Sequence, residues 1–300
     1  MWNVGLSKTL LISLTRCFSR EVLTVMPISL KVKKLLKGIF SESQLDVLRR
    51  IVYFPKRSMH RVVRALPIGL YSSIHRKNLS KLAVAFGTDK EGGHHYAKHY
   101  QHHFTKLRRY RLNLLEIGIG GYDDPRLGGN SLRMWKAYFR KGNIFGLDIY
   151  DKASHDERRI KTFVGSQADE ESLRIIAAEI GAIDIVIDDG SHINSHVTTA
   201  FKVLFPLLSP NGIYVIEDLQ TSYWDDDNWD GSSDLAAAHT SMNFLKSLVD
   251  GLNYEEYMRD EYTPTYFDKN IISIHFYHNM AVLYKGANIE GSNTIESRFA

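Results

Sequence analysis

Two apolar runs, Ile183 to Ile187 and Ile213 to Ile216, each end in carboxylates, the first in Asp188-Asp189-Gly190-Ser191-His192 and the second in Glu217-Asp218. Short apolar runs of this kind read as buried strands, the habit of parallel sheets. Between them, His196 to Leu208 carries helical periodicity, long enough to return the chain for parallel pairing. The chain is thereby held to an open α/β architecture. Acids at the carboxyl ends of adjacent parallel strands open into the crevice where such sheets bind ligands. Three carboxylates (Asp189, Glu217, Asp218) and a histidine there suggest a hard divalent cation beside a general base.

The same alternation extends in both directions. Leu112 to Ile119, Asn143 to Ile149 and Ile160 to Val164 read as the first three strands, with helical stretches at Ser131 to Phe139 and Glu170 to Ile180 as crossovers. After the acidic pair, a helix is expected from Asp234 to Leu252, then strands at Ile271 to Tyr277 and Ala281 to Tyr284. His278, Asn279 and Met280 are too few for a crossover, so these two strands form a hairpin and one of them runs antiparallel. The expected fold is α/β, a doubly wound, mostly parallel seven-stranded sheet with a C-terminal antiparallel hairpin. Upstream, Phe86-Gly87-Thr88-Asp89-Lys90 offers helix N-cap residues before Tyr96, Tyr100 and Phe104, an aromatic ladder spaced by four and read as core, with one tyrosine a candidate to line a pocket.

A content of 44% hydrophobic and 24% charged residues excludes a disordered or fibrous chain. The lone Cys17 excludes an internal disulfide framework and a cysteine-based zinc site, and fits a reducing, cytoplasmic compartment. Charge is unevenly placed: before Leu82 there are 16 Lys and Arg against Glu21, Glu42 and Asp46, so a net +4 divides into +13 and −9. Residues 1 to 80 read as a basic, mainly helical auxiliary segment, punctuated at Pro55 and Pro67, and residues 81 to 300 as the catalytic domain. The basic segment is either a solvated helical surface packing on the acidic domain or a candidate peripheral contact for anionic membrane lipid or another polyanion, while nucleic acid is not an expected partner. Leu10 to Leu14 is too short to span a membrane. Residues 1 to 22 faintly resemble a transit peptide, and true initiation at Met26 is an equal reading.

Glu116-Ile117-Gly118-Ile119-Gly120-Gly121 closes the first strand with glycines that let a ligand approach the backbone. Asp148, at the end of the second strand, is positioned to accept hydrogen bonds from two ribose hydroxyls. Asp123 stands where a dinucleotide fingerprint wants a small residue, and the third glycine is missing, which lowers NAD and favours a nucleoside cofactor without phosphates. Together with the terminal hairpin, these features resemble the class I S-adenosylmethionine-dependent methyltransferases. More narrowly, FGTDK, Gly129 to Arg133, Gly165 to Asp169, the DDGSH run, Glu217 to Trp224 and His275 to Asn279 resemble the macrolide sugar O-methyltransferases of the demethylmacrocin and mycinamicin type, over residues 84 to 288.

The resemblance implies Mg²⁺ held by Asp189, Glu217 and Asp218, with His192 as the base that deprotonates a sugar hydroxyl before methyl transfer from S-adenosylmethionine. Oxygen donors of this kind suit Mg²⁺ and leave room for a vicinal diol of a glycan. Thr88, Glu116, Gly118, Gly120, Asp148, Gln167, Asp169 and Asp188 are the cofactor candidates; Asp169 is also a candidate helix cap, and Asp188 a candidate acceptor for backbone hydrogen bonds. Tyr223, Trp224 and His196 are substrate candidates, Asp225 to Asp227 a solvated loop, and His275 and His278 structural. The resemblance also implies a homo-oligomer. The rival readings are an NAD-dependent sugar oxidoreductase and a non-catalytic module that binds a nucleoside and metal.

Overall fold

The structure is a computed structural model, and it describes residues 68–226, 228–259 and 261–292. Residues 1–67 of the basic segment, the transit-peptide and Met26 readings, and Asp227 lie outside the described residues. The chain enters through helices α1 (Ile68–His75), α2 (Leu79–Phe86) and α3 (Ala97–Phe104). Strand and helix then alternate: β1 (Asn113–Ile117), α4 (Asn130–Tyr138), β2 (Asn143–Asp148), β3 (Ile160–Val164), α5 (Glu170–Ile180), β4 (Ile183–Asp188), α6 (Asn194–Leu207) and β5 (Leu208–Ile216). Helices α7 (Ser241–Gly251) and α8 (Tyr266–Asn270) lead into β6 (Ile271–Tyr277) and β7 (Met280–Lys285).

The seven strands form one sheet in the order β3-β2-β1-β4-β5-β7-β6. Pairing is parallel from β3 through β5, and β7 runs antiparallel to both β5 and β6, as the short hairpin connection requires. Both faces are covered. One core joins Leu115 and Ile117 of β1 to Phe201 and Phe205 of α6; the other joins Leu114 to Tyr100, Phe104, Trp135 and Phe139. Period-two alternation puts Glu116 on the second face, among those aromatics. Leu79, Leu82 and Ala83 are buried in that same core, so α2 packs with the sheet although it straddles residue 80.

Two expected elements are corrected. The helix after the acidic pair starts at Ser241 rather than Asp234, because Asp234 Oδ1 accepts the Ala236 N–H in a tight turn and Thr240 Oγ1 caps at Asn243 N. β5 begins at Leu208 rather than Ile213. Pro210-Asn211-Gly212 is absorbed as an irregularity, with Asn211 left-handed (φ 64°) and the register against β4 shifting between Ile183 and Ile185. FGTDK is also not a helix start: α3 begins only at Ala97, its N-cap Tyr96 makes no side-chain cap, and Gly87 instead ends α2 in the left-handed conformation.

Register aligns the chemistry. Leu147 pairs with Ile117, Ile117 with Asp188 and Asp188 with Ile216, so Asp148, Gly118, Asp189 and Glu217 follow side by side along the carboxyl edge. β1 has β2 on one side and β4 on the other, and this change of direction is the switch point where doubly wound sheets bind ligands.

Candidate active site

Asp189, His192 and Asp218 each direct a potential ligand atom into one group in which all lie within 4.8 Å. His192 Nε2 is 3.9 Å from Asp189 Oδ1 and 3.7 Å from Asp218 Oδ2. Both His192 (φ 58°) and Asp218 (φ 54°) occupy the left-handed region, which costs non-glycine residues energy and is tolerated where function or packing demands it. His192 Nδ1 is buried with no hydrogen-bond partner among the described residues, while Nε2 faces the acids.

Behind this group lies a buried half. Lys90, 1% exposed, extends from the loop before α3 and places Nζ 2.7 Å from Asp189 Oδ2, 2.6 Å from Glu217 Oε1 and 3.3 Å from Glu116 Oε1. Burial works against the ammonium, but Asp189, Glu217 and Glu116 outweigh it and hold the Lys90 pKa above its ordinary value. Tyr100 donates its hydroxyl to Glu217 Oε1, and Tyr96 donates to Asp218 Oδ1 at 2.7 Å. The helical spacing of four therefore brings two phenols of the core ladder to neighbouring acids. Glu217 stands outside the three-residue group, its Oε1 taken by Lys90 and Tyr100.

At the cofactor end, Gly118 (φ 88°) passes so close to the DDGSH loop that a Cβ there would sit 2.1 Å from the Asp189 carbonyl oxygen. Gly120 differs: a Cβ would meet nothing nearer than Gly128 Cα at 4.0 Å, so its backbone faces open space. Asp148 Oδ2 accepts from Ile119 N at 2.9 Å and Oδ1 from Tyr150 N at 3.0 Å, locking the carboxylate beside the glycine turn. The Thr88 hydroxyl is buried without a partner among the described residues. Glu116 is fully buried, and burial raises its pKa against the pull of Lys90.

Other candidates have structural partners. Gln167 donates to Asp188 Oδ1 at 3.2 Å and accepts from Ser191 N at 2.7 Å, bracing the DDGSH loop. Burial raises the Asp188 pKa to about 7, against the Gly190 N–H and Gln167. The Asp169 carboxylate caps α5, accepting from Glu171 N and Ser172 N at 3.1 Å each. His196 Nδ1 lies 3.0 Å from Ser191 Oγ. Tyr223 is exposed, and Trp224 meets Trp229 edge-on at 5.7 Å. Asp225 and Asp226 are exposed loop acids, and His275 rests against His103 and Tyr284 in a ring cluster.

Sequence reading misses Lys90 as a site residue and assigns no role to Tyr96 or Tyr100 beyond one ladder tyrosine at a pocket. Lys90 reaches partners 99 and 127 positions away, which no local spacing marks. The ladder's spacing of four is the one available signal for the tyrosines, and it reads mainly as core.

The sheet order, the reversed last strand and the glycine turn beside Asp148 define a class I S-adenosylmethionine-dependent methyltransferase fold. Within that class, the chain is a homologue of sugar O-methyltransferases that act on antibiotic glycosides. It is 51% identical over 211 residues (70% of this chain) to the 8-demethyl-8-α-L-rhamnosyl tetracenomycin-C 2′-O-methyltransferase of Streptomyces olivaceus, and 48% identical over 221 residues (72%) to the demethylmacrocin O-methyltransferase of Streptomyces fradiae. The chain spans 55% of the length of each. Among solved structures, the MycE methyltransferase of the mycinamycin biosynthetic pathway, in complex with Mg, SAH and mycinamycin VI, is 46% identical with a TM-score of 0.69, covering 74% of this chain and 57% of that one. No protein-family model matches the chain.

Proposed function

We propose that this protein transfers a methyl group from S-adenosylmethionine to a sugar hydroxyl of a glycosylated natural product or polysaccharide, in a metal-dependent reaction. The observation that carries this reading is the convergence of Asp189, His192 and Asp218 beside the glycine turn, in a chain 41–51% identical to enzymes named for sugar O-methylation.

The donor set suits Mg²⁺, a hard cation that prefers oxygen. Asp189 and Asp218 would hold it, with Glu217 completing the acidic set from behind. The methyl donor fits the opposite end: the open backbone at Gly120, the fixed Asp148 carboxylate for ribose hydroxyls, and the unpartnered Thr88 hydroxyl. Gln167, Asp169 and Asp188 shape the adenine end through the loops they brace, and Gly118 and Glu116 sit beneath it. When bound, S-adenosylmethionine supplies a methyl on a sulfonium that leaves as the thioether of S-adenosylhomocysteine, and Mg²⁺ supplies Lewis acidity toward the sugar oxygen. His192 takes the hydroxyl proton on Nε2, the oxygen's electron pair forms the new O–CH₃ bond, and the electron pair of the broken C–S bond stays on sulfur. Tyr223, Trp224 and His196 flank the acceptor side, where a vicinal diol faces the acids. Most of the acceleration comes from holding hydroxyl and methyl in line.

Residues 81 to 300 form the methyltransferase domain of this proposal and residues 1 to 80 its basic auxiliary segment, in a cytoplasmic homo-oligomer with peripheral contact to anionic lipid. Among the described residues no helix is long and apolar enough to cross a membrane. Titration calorimetry of S-adenosylmethionine and NAD into wild type and Asp148→Ala, with and without Mg²⁺, tests the core of the reading. S-adenosylmethionine alone should bind, and more weakly to the variant; preference for NAD, or no binding, overturns it.

A further inference from the structure

Asp189 faces two ways. Its Oδ1 looks toward His192 at 3.9 Å, on the side where ligand atoms converge, and its Oδ2 accepts a 2.7 Å hydrogen bond from Lys90. The same ammonium lies 2.6 Å from Glu217 and 3.3 Å from Glu116, so one cation serves three carboxylates, two of them 2% exposed or less. Asp189, Asp218 and His192 are 22%, 16% and 20% exposed. A side chain this buried cannot swing away without leaving Glu116 and Glu217 facing each other with no positive charge between them.

We propose that Lys90 is the resident cation of the acidic site. It holds the buried carboxylates together when no metal is bound, and it caps the site's appetite for divalent metal by drawing on Asp189, the carboxylate it shares with the metal. The protein carries part of its counter-charge covalently, in the loop before α3, and only the remainder is supplied by Mg²⁺. This rests on the metal reading given above. It makes Lys90 a positioning residue, with no role in proton transfer.

The position of Lys90 explains a second feature. Tyr96 and Tyr100 lie on the segment that follows this loop; Tyr100 donates its hydroxyl to Glu217, one of the acids that Lys90 gathers, and Tyr96 donates to the adjacent Asp218. Loop and helix together form a cationic, hydrogen-bond-donating wall against an acidic edge made by β1, β4 and β5.

The test uses the full chain as wild type, Lys90→Met and Lys90→Met/Glu116→Gln, the last removing one buried acid together with the lysine. Thermal unfolding is followed in EDTA and in MgCl₂, and Mg²⁺ affinity is measured by calorimetry without S-adenosylmethionine. Lys90→Met should unfold at a markedly lower temperature in EDTA, gain more from Mg²⁺ than wild type does, and bind Mg²⁺ at least roughly tenfold more tightly, because a unit positive charge has left the carboxylate field. The double variant should fall between the two in both respects. If Lys90→Met does not fold without metal, the double variant decides: Mg²⁺ affinity above wild type supports the proposal, and affinity equal to or below it overturns it. A wild-type response to Mg²⁺ that neither variant exceeds overturns the proposal while leaving the metal reading intact. No Mg²⁺ response in any of the three proteins removes the metal reading, and the proposal with it.

Discussion

The two halves of the acidic site are built on opposite terms. On the inner side, Lys90, Tyr100, Glu116 and Glu217 are nearly or fully buried and tied to one another. On the outer side, Asp189, His192 and Asp218 are partly exposed, His192 and Asp218 are held in strained backbone conformations, and one imidazole nitrogen has no hydrogen-bond partner among the described residues. Burial and the Lys90 counter-charge on one side are what let the other keep like charges close: the inner half is a foundation and the outer half is where reactants meet.

Breaking the outer half should cost the most in rate and little in stability. His192→Ala is expected to lower methyl transfer by about 10²–10⁴-fold, the range of a lost general base, with S-adenosylmethionine affinity in calorimetry within a few-fold of wild type. Breaking the inner half should do the reverse. Glu217→Ala removes one partner of a buried ion pair and should cost about 3–5 kcal/mol in urea unfolding, measured without metal. A finer cut separates the two tyrosines: Tyr100→Phe, which strips a buried acid of one of its two donors, should cost about 1.5–3 kcal/mol, and Tyr96→Phe less, because Asp218 keeps some access to water. If Tyr96→Phe costs more, the boundary between the halves is misplaced. The smallest effect is outside both: Asp169→Ala should lose about 1 kcal/mol as a helix cap and weaken cofactor binding less than Asp148→Ala does.

The outer half is the part that sequence reading reaches. Asp189, His192 and Asp218, and with them Glu217 of the inner half, follow apolar runs that read as strands, and parallel pairing puts strand ends together without any knowledge of packing. β3 and α5 are found with their expected ends, Ile160–Val164 and Glu170–Ile180, because both have clean punctuation, Gly165 after one and Asp169 before the other. Where local rules compete, the reading drifts. Asp234 to Ala237 has the composition of a helix start, yet a side chain to backbone turn takes those donors first. The lysine of the inner half is illegible for another reason. No local pattern around Lys90 marks its partners, and only the folded core reveals that its ammonium is surrounded by acids in or just past three separate strands.

The hairpin between β6 and β7 has a part in this as well. The Asn279 carbonyl at its tip accepts the Leu219 N–H at 3.1 Å, just past the acidic pair, and lies 3.3 Å from the Tyr96 hydroxyl. Lys90 and Asn279 are therefore joined through the site although roughly 190 residues of chain separate them, an interval that takes on the order of 10–40 s to synthesise. Through that interval the lysine and its tyrosines are out of the ribosome before the strand that seats their partners has its last neighbour. The reactive edge is therefore complete only once β7 has been made and its tip has met Leu219 and Tyr96.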